Sequence, residues 1–421
     1  PMNEPEATAW TRPAAIVVAM IAVALVLDGL DAQALGLAIP ALMTEWGHTR
    51  ADFSPVAAGS LIGMAIGATF GGVVGDRIGR RTALIASMTL FGVATGLATL
   101  THGLGSFGAL RALAGIGLGA TLPNAGALIA EFTPARHRSI GMSIAMLSQP
   151  VGSMSAGLLA AALLEDHGWR SLFVVGSAAP IALALIFLWR LPESPSFLAS
   201  RGIARADLPR ASLGALLAPE RRRDTLLCWL ACFLSLIALY SVLSWMPAML
   251  AAERLPLSFT GTAIAIFSVG GIVGSLGCGL LVTKLGSRVA QGVIGATGIL
   301  AGIALIALFR AGTATPFAIS LLMPFIGVGA AGTQTTLYAV GAYLYPTQLR
   351  ATGLGALLGI GRLGAVASAW IGASAVDAGG AVGFFLLFAA AILAATITCT
   401  LIRRSVPSAA RQRLTQGEGM L

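Results

Sequence analysis

Two aspartates, Asp28 and Asp31, stand three residues apart inside one long apolar run, and two arginines, Arg111 and Arg362, stand inside two others. A spacing of three puts both carboxylates on one face of a helix. If these runs lie in hydrocarbon, a charged aspartate costs about 2.5–3.5 kcal/mol on insertion scales. Two on one face therefore need a water-filled cavity, a cationic partner or a proton. Arg111 is the natural partner. Two acids against one arginine leave a carboxylate able to take up and release a proton, with the arginine tuning it. The alternative is a structural ion pair that fixes helix packing.

Arg362, within Gly-Ile-Gly-Arg-Leu-Gly-Ala, offers a different chemistry. A guanidinium at that depth can grip a carboxylate through two parallel hydrogen bonds, which points to an anionic ligand. The alternative is pairing with a protein acid or with backbone carbonyls. Tyr240, Trp245, Gln334 and Tyr338 fall on neighbouring runs and are candidates to line the same cavity, with packing as their alternative role. Glu131 ends its run beside basic loops and reads as a gate or structural ion pair. The four histidines sit in loops, and the four cysteines sit in apolar runs, where packing suffices to explain them.

The elements that must hold these groups are membrane helices. Of 421 residues, 57% are hydrophobic and 10% charged, against about 25% charged in a soluble domain. Twelve apolar segments of spanning length can be marked, at 14–43, 53–75, 82–101, 105–131, 139–164, 169–190, 224–250, 258–282, 289–309, 316–341, 351–376 and 381–402. With the N-terminus inside, 20 of the 26 basic residues fall in cytoplasmic positions and four outside, the other two being Arg111 and Arg362. Both termini are expected in the cytoplasm. No cleavable signal is expected. The net charge of +9 is spread over alternate loops, which argues against a nucleic-acid partner.

The chain repeats itself. Gly63, Gly67, Gly72 and Gly79 recur 207 residues later as Gly270, Gly274, Gly279 and Gly286, and the loop around Arg138 recurs 212 residues later around Arg350. The expected fold is an all-α membrane protein, with twelve transmembrane helices in two pseudo-symmetric six-helix bundles. The bundles would span 1–191 and 224–421, joined by a cytoplasmic linker over 192–223. Under these shifts Asp28 pairs with Ser235, Asp31 with Ala238, Arg111 with Met323, and Arg362 with Pro150 beside Gln149. Scaffold should repeat; these charges do not, which suggests one-sided functional roles. No phosphate-binding loop, nucleophile elbow or metal-ligand pair is present, so the chain reads as neither an enzyme nor an ATP-driven pump, and no cofactor is expected.

The stretch Gly72 to Arg81 resembles the signature of the major facilitator superfamily at every specified position: Gly72, Asp76, Arg77, Gly79, Arg80 and Arg81. The run Arg111, Gly115, Gly117, Gly119 is similar to that superfamily's fourth-helix motif. The DGLD string from Asp28 to Asp31, Pro123-Asn124 followed by Glu131, the SWMP string from Ser244 to Pro247, and GRLG from Gly361 to Gly364 resemble the aromatic acid:proton symporters. The resemblance implies proton coupling by Asp28 and Asp31, with Arg111 and Glu131 as helpers. It also implies an aromatic carboxylate met by Arg362; Gln149, beside the symmetry mate of Arg362, and Asn124 are further candidates to bind it. Asp76 and the loop arginines would form a cytoplasmic latch in a monomeric bacterial inner-membrane protein. Thr283 replaces the signature aspartate in the second half, so any latch there is lost. The string PESPSFL from Pro192 is similar to sugar and organic-cation porters and does not decide the substrate. A non-aromatic acid such as a dicarboxylate, or export, remains the alternative.

Overall fold

The computed structural model describes residues 12–134, 137–200, 216–346 and 349–407. Several of the loop and tail arginines counted above, such as Arg136, Arg201 and Arg413, lie outside them, as does the middle of the expected linker, 201–215. The chain divides into two compact units, Pro1–Ala206 and Asp207–Leu421.

The first unit holds α1 (Arg12–Trp46), α2 (Arg50–Ile78), α3 (Arg80–Ala98), α4 (Leu104–Phe132), α5 (Arg138–His167) and α6 (Arg170–Arg190), followed by a single short turn of helix, Pro195–Ser200. The second holds α7 (Arg222–Ala252), α8 (Leu257–Leu285), α9 (Ser287–Arg310), α10 (Pro316–Leu344) and α11 (Arg350–Thr400). Each of these eleven long helices is apolar enough to cross a bilayer. Lipid supplies no hydrogen-bond partners, so a chain of this composition must satisfy its backbone within helices. The protein is a multi-pass membrane protein.

The count among the described residues is thus eleven, not the expected twelve, and the cause is local. α11 runs for 51 residues, about 75 Å of helix against a hydrocarbon core of about 30 Å. Gly380 breaks it, with φ 55° and ψ −141°. That residue falls between the two segments expected at 351–376 and 381–402. The Glu253 carboxylate, just past the end of α7, accepts a hydrogen bond from the Ala381 N–H at 3.0 Å and caps the restart.

Within the first unit α1 packs on α5 and α4, α2 on α4, and α3 on α4 and α6; within the second α7 packs on α11, α8 on α10, and α9 on α10 and α11. The contacts themselves repeat. Gly63 lies against the Ala112 carbonyl, and Gly270 against that of Pro324. Gly115 meets Ser60 as Gly327 meets Phe267, and Gly152 meets Val26 as Gly364 meets Phe233. Each pair is displaced by 207 residues on one helix and 212 on the other. None of these glycines leaves room for a side chain, so small residues set the helix spacing. One contact is inverted. In the first unit Gly29 of α1 supplies the space and Gln149 of α5 fills it; in the second Gly361 of α11 supplies it and Leu236 of α7 fills it.

Candidate functional site

The first unit carries a sealed polar cluster. Arg111 of α4 and Asp31 of α1 are both 0% exposed. Arg111 Nη1 lies 3.2 Å from Asp31 Oδ2, and its Nη2 donates to the Asp31 main-chain carbonyl at 3.2 Å. Thr95 of α3 completes the group. Its hydroxyl donates to Asp31 Oδ1 at 2.8 Å and accepts from Arg111 Nη1 at 3.1 Å. The Phe173 ring covers the guanidinium at 5.4 Å. Behind that ring Trp46, Phe107 and Trp169 pack edge to face. Such a pair recovers its desolvation cost only when the geometry is good and the remaining donors are satisfied. Here three helices contribute partners to it, and of the guanidinium nitrogens Nε alone is buried without one.

Asp28, 1% exposed, lies one turn earlier on α1. The Gln149 side chain of α5 donates to its Oδ2 at 3.1 Å. The Gly29 contact explains this meeting, because it lets the two backbones touch beside the carboxylate. The two aspartates therefore share a face but not an environment. One faces a cation, the other an amide. Gln149, expected with the substrate-binding residues, is here a partner of Asp28. Asn124 is almost fully buried, and its amide nitrogen donates to the Gly71 carbonyl at 3.0 Å and that of Ala120 at 2.9 Å, tying α4 to α2.

In the second unit Arg362 is half-buried. Among the described residues no salt bridge includes it. Tyr338 of α10 lies within electrostatic reach of Arg362, beside Gln334, Cys232 and Tyr240. Gln334 accepts from Ser235 at 3.1 Å. Tyr338 thus connects this neutral polar group to Arg362. Trp245 is fully buried with its ring against Gly372, a packing position.

The loop between α2 and α3 makes a third cluster. Arg80 donates to Glu131 at the end of α4 and lies 3.5 Å from Asp76. Ser194 donates to the other Glu131 oxygen at 2.6 Å. Glu193 Oε1 accepts from the main-chain N–H of Arg81 and of Ser194, each at 2.9 Å. Its carboxylate occupies the space a side chain at Gly79 would need, where φ is +103°. Arg81 donates to the Leu188 carbonyl at 2.6 Å and so closes the end of α6. Arg77 is exposed, and Gly72 faces Pro123. The Pro192 string, which decided nothing about substrate, thus belongs to this cluster.

Thr95, Phe173, Glu193 and Ser194 were not singled out from sequence. The symmetry test would have found Thr95, whose counterpart 207 residues later is Gly302. Phe173 carries no comparable signal.

The sequence profile of the Major Facilitator Superfamily matches residues 21–369. The chain belongs to this superfamily. It is 34% identical over 391 residues to the gallate transporter of Pseudomonas putida, covering 86% of this chain and 85% of that one. It is also 34% identical over 381 residues to the 4-hydroxybenzoate transporter of Pseudomonas aeruginosa, covering 84% of each. Among solved structures, a D-xylose-proton symporter superposes with a TM-score of 0.73 at 19% identity, covering 92% of this chain and 98% of that one, and supports the fold alone. These relatives place the major facilitator chain among transporters and not enzymes.

Proposed function

We propose that the protein is a proton-coupled symporter that imports an aromatic carboxylate across the bacterial inner membrane by alternating access. The observation that carries the reading is the sealed Asp31–Arg111–Thr95 cluster, which has no polar counterpart in the other unit. A charge pair built into one copy of a duplicated scaffold has a task that the scaffold does not. Protonation of Asp31 removes the charge that holds Arg111, so a proton and a change of side-chain partners are one event. Asp28, with Gln149, lies one turn away on the same helix and belongs to the same proton-handling set. Arg362, within electrostatic reach of Tyr338, receives the substrate carboxylate. The names of the relatives supply the aromatic class.

In this reading the two stretches of α11 on either side of Gly380 each cross the membrane, giving twelve crossings. The bundles are 1–191 and 224–421, with 192–223 and both termini in the cytoplasm, and the transporter works as a monomer. Asp76, Arg77, Arg80, Arg81 and Glu131, with the glycines Gly72 and Gly79, form the conformational gate. One proton per monoanion moves no net charge, whereas each further proton would add about 2.3 kcal/mol of drive per 100 mV.

The test is uptake of radiolabelled 4-hydroxybenzoate or gallate into proteoliposomes under an imposed pH gradient. Accumulation above the outside concentration, abolished by a protonophore and competed by benzoate-type acids, is the expected result. Uptake that only equilibrates regardless of the gradient would remove the proton coupling.

A further inference from the structure

The third cluster described above has a counterpart in which neither of its two glutamates recurs. In the first unit Arg80 is met by Glu131 and Arg81 by Glu193, while Ser194 donates to Glu131. Shifted by 207 or 212 residues, these five positions become Ser287, Arg288, Tyr343, Ser405 and Val406. The backbone frame is retained. Arg288 donates to the Ile402 carbonyl at 2.7 Å, as Arg81 does at the end of α6. The Ser287 and Val406 main chains and the Ser287 hydroxyl hold each other at 3.0 Å. The two carboxylates have gone.

Their place is a cavity of about 940 Å³ whose lining includes Arg221, Tyr343, Tyr345, Arg403, Arg404 and Ser405. The charged residues that line it are all arginines. The nearest acids are engaged otherwise. Asp224 accepts from the main-chain N–H groups of Arg403 and Arg404, at 3.0 and 3.1 Å, which holds this backbone at the cavity wall without using their guanidinium groups. Glu220 is mostly exposed and reaches Arg221 Nη2 at 3.5 Å, while Arg221 Nε is buried with no hydrogen-bond partner. Among the described residues no ion pair includes the side chains of Arg403 or Arg404. Three arginines line a site that lacks the two carboxylates of the first unit, and a group of more than one negative charge suits them better than a monocarboxylate.

We propose that this cavity binds a phosphate group, carried either by free phosphate or by the headgroup of an anionic phospholipid. The site lies wholly in the second unit and does not depend on the transport reading. Phosphate oxygens would take the positions that Glu131 and Glu193 fill in the first unit.

Two variants test this. Arg403→Gln/Arg404→Gln removes two cations at exposed side chains and leaves the Asp224 contacts, which are to main chain. Tyr343→Glu/Ser405→Glu restores the carboxylates of the first unit and should fill the site from within. Inorganic phosphate is titrated calorimetrically into protein in phosphatidylcholine nanodiscs. In a second arm, retention of phosphatidylglycerol from mixed vesicles is read by native mass spectrometry. Saturable binding in either arm, weakened at least about tenfold in both variants while transport continues, is the expected result. Binding only in the first arm identifies free phosphate, and binding only in the second identifies lipid. No binding in either arm, or binding that survives Arg403→Gln/Arg404→Gln, overturns the proposal, and that variant decides alone should the glutamate pair fail to fold.

Discussion

Thr95 stands between Asp31 and Arg111 and bonds to both, donating to the carboxylate at 2.8 Å and accepting from the guanidinium at 3.1 Å. A single hydroxyl on α3 thereby ties together the charges of α1 and α4. The second unit dispenses with all three groups, having Gly302, Ala238 and Met323 at the corresponding places. It is thus a natural example of the same packing without the polar cluster.

That example gives the first prediction. Asp31→Asn leaves Arg111 buried without its counter-charge and should lose about 3–5 kcal/mol of stability, together with pH-driven accumulation. Asp31→Ala/Arg111→Met, which copies the second unit, should recover most of the melting temperature while remaining uncoupled. Thermal unfolding and proteoliposome uptake, measured side by side, check both halves. Full pH-driven uptake by either variant would remove Asp31 from proton handling.

Thr95→Val keeps the shape and deletes both hydrogen bonds. The expected cost is about 1–3 kcal/mol, since the buried partners are left short, and Thr95→Ser should restore most of it. Circular dichroism melts of the three proteins in one detergent suffice.

At Arg362, replacement by Ala should weaken binding of aromatic acids by about tenfold or more and leave binding of the corresponding amides nearly unchanged. Lys is expected to rescue only in part, because an ammonium lacks the planar fork. Competition binding reads the difference. Equal losses for acid and amide would make this arginine a packing residue.

Gly79 needs a positive φ, and its missing side chain leaves the space that Glu193 enters. Gly79→Ala should cost about 1–3 kcal/mol from backbone strain alone, with more from displacement of Glu193. Glu193→Gln, which still accepts from Arg81, should cost much less. The order of the two melting temperatures is the measurement.

At the restart of α11, Glu253→Ala removes the cap on Ala381 and should cost about 1 kcal/mol. Asp or Gln at the same position should recover part of it in the same melt.

Much of this was legible in the sequence because hydrocarbon imposes strong rules. A charge in an apolar run is conspicuous, and duplication made Asp28, Asp31, Arg111 and Arg362 more so by leaving them unmatched. The break in α11 was visible as a gap between two segments, but not its form, since hydropathy cannot tell a loop from a single glycine in an irregular conformation. Symmetry puts Gln149 beside Pro150, the mate of Arg362, but does not report its bond to Asp28, because the Gly29 contact sets its neighbours and no linear pattern reveals a close approach between distant helices. Thr95 and Phe173 were missed for a related reason. A threonine or a phenylalanine in a membrane helix is ordinary until its neighbour is known. Glu193 was noticed only as part of a string, while its role depends on a turn more than a hundred residues earlier.

The inverted contact between Gly29–Gln149 and Leu236–Gly361 shows how two copies of one scaffold can diverge without disturbing it. A tight crossing asks only that one of two facing positions be vacant, and is indifferent to which. Moving the vacancy from the unit's first helix to its partner frees the other position for a side chain of any chemistry. In one copy that freedom went to an amide beside an acid; in the other, the vacancy moved to the immediate neighbour of Arg362, the residue on which anion recognition is proposed to rest.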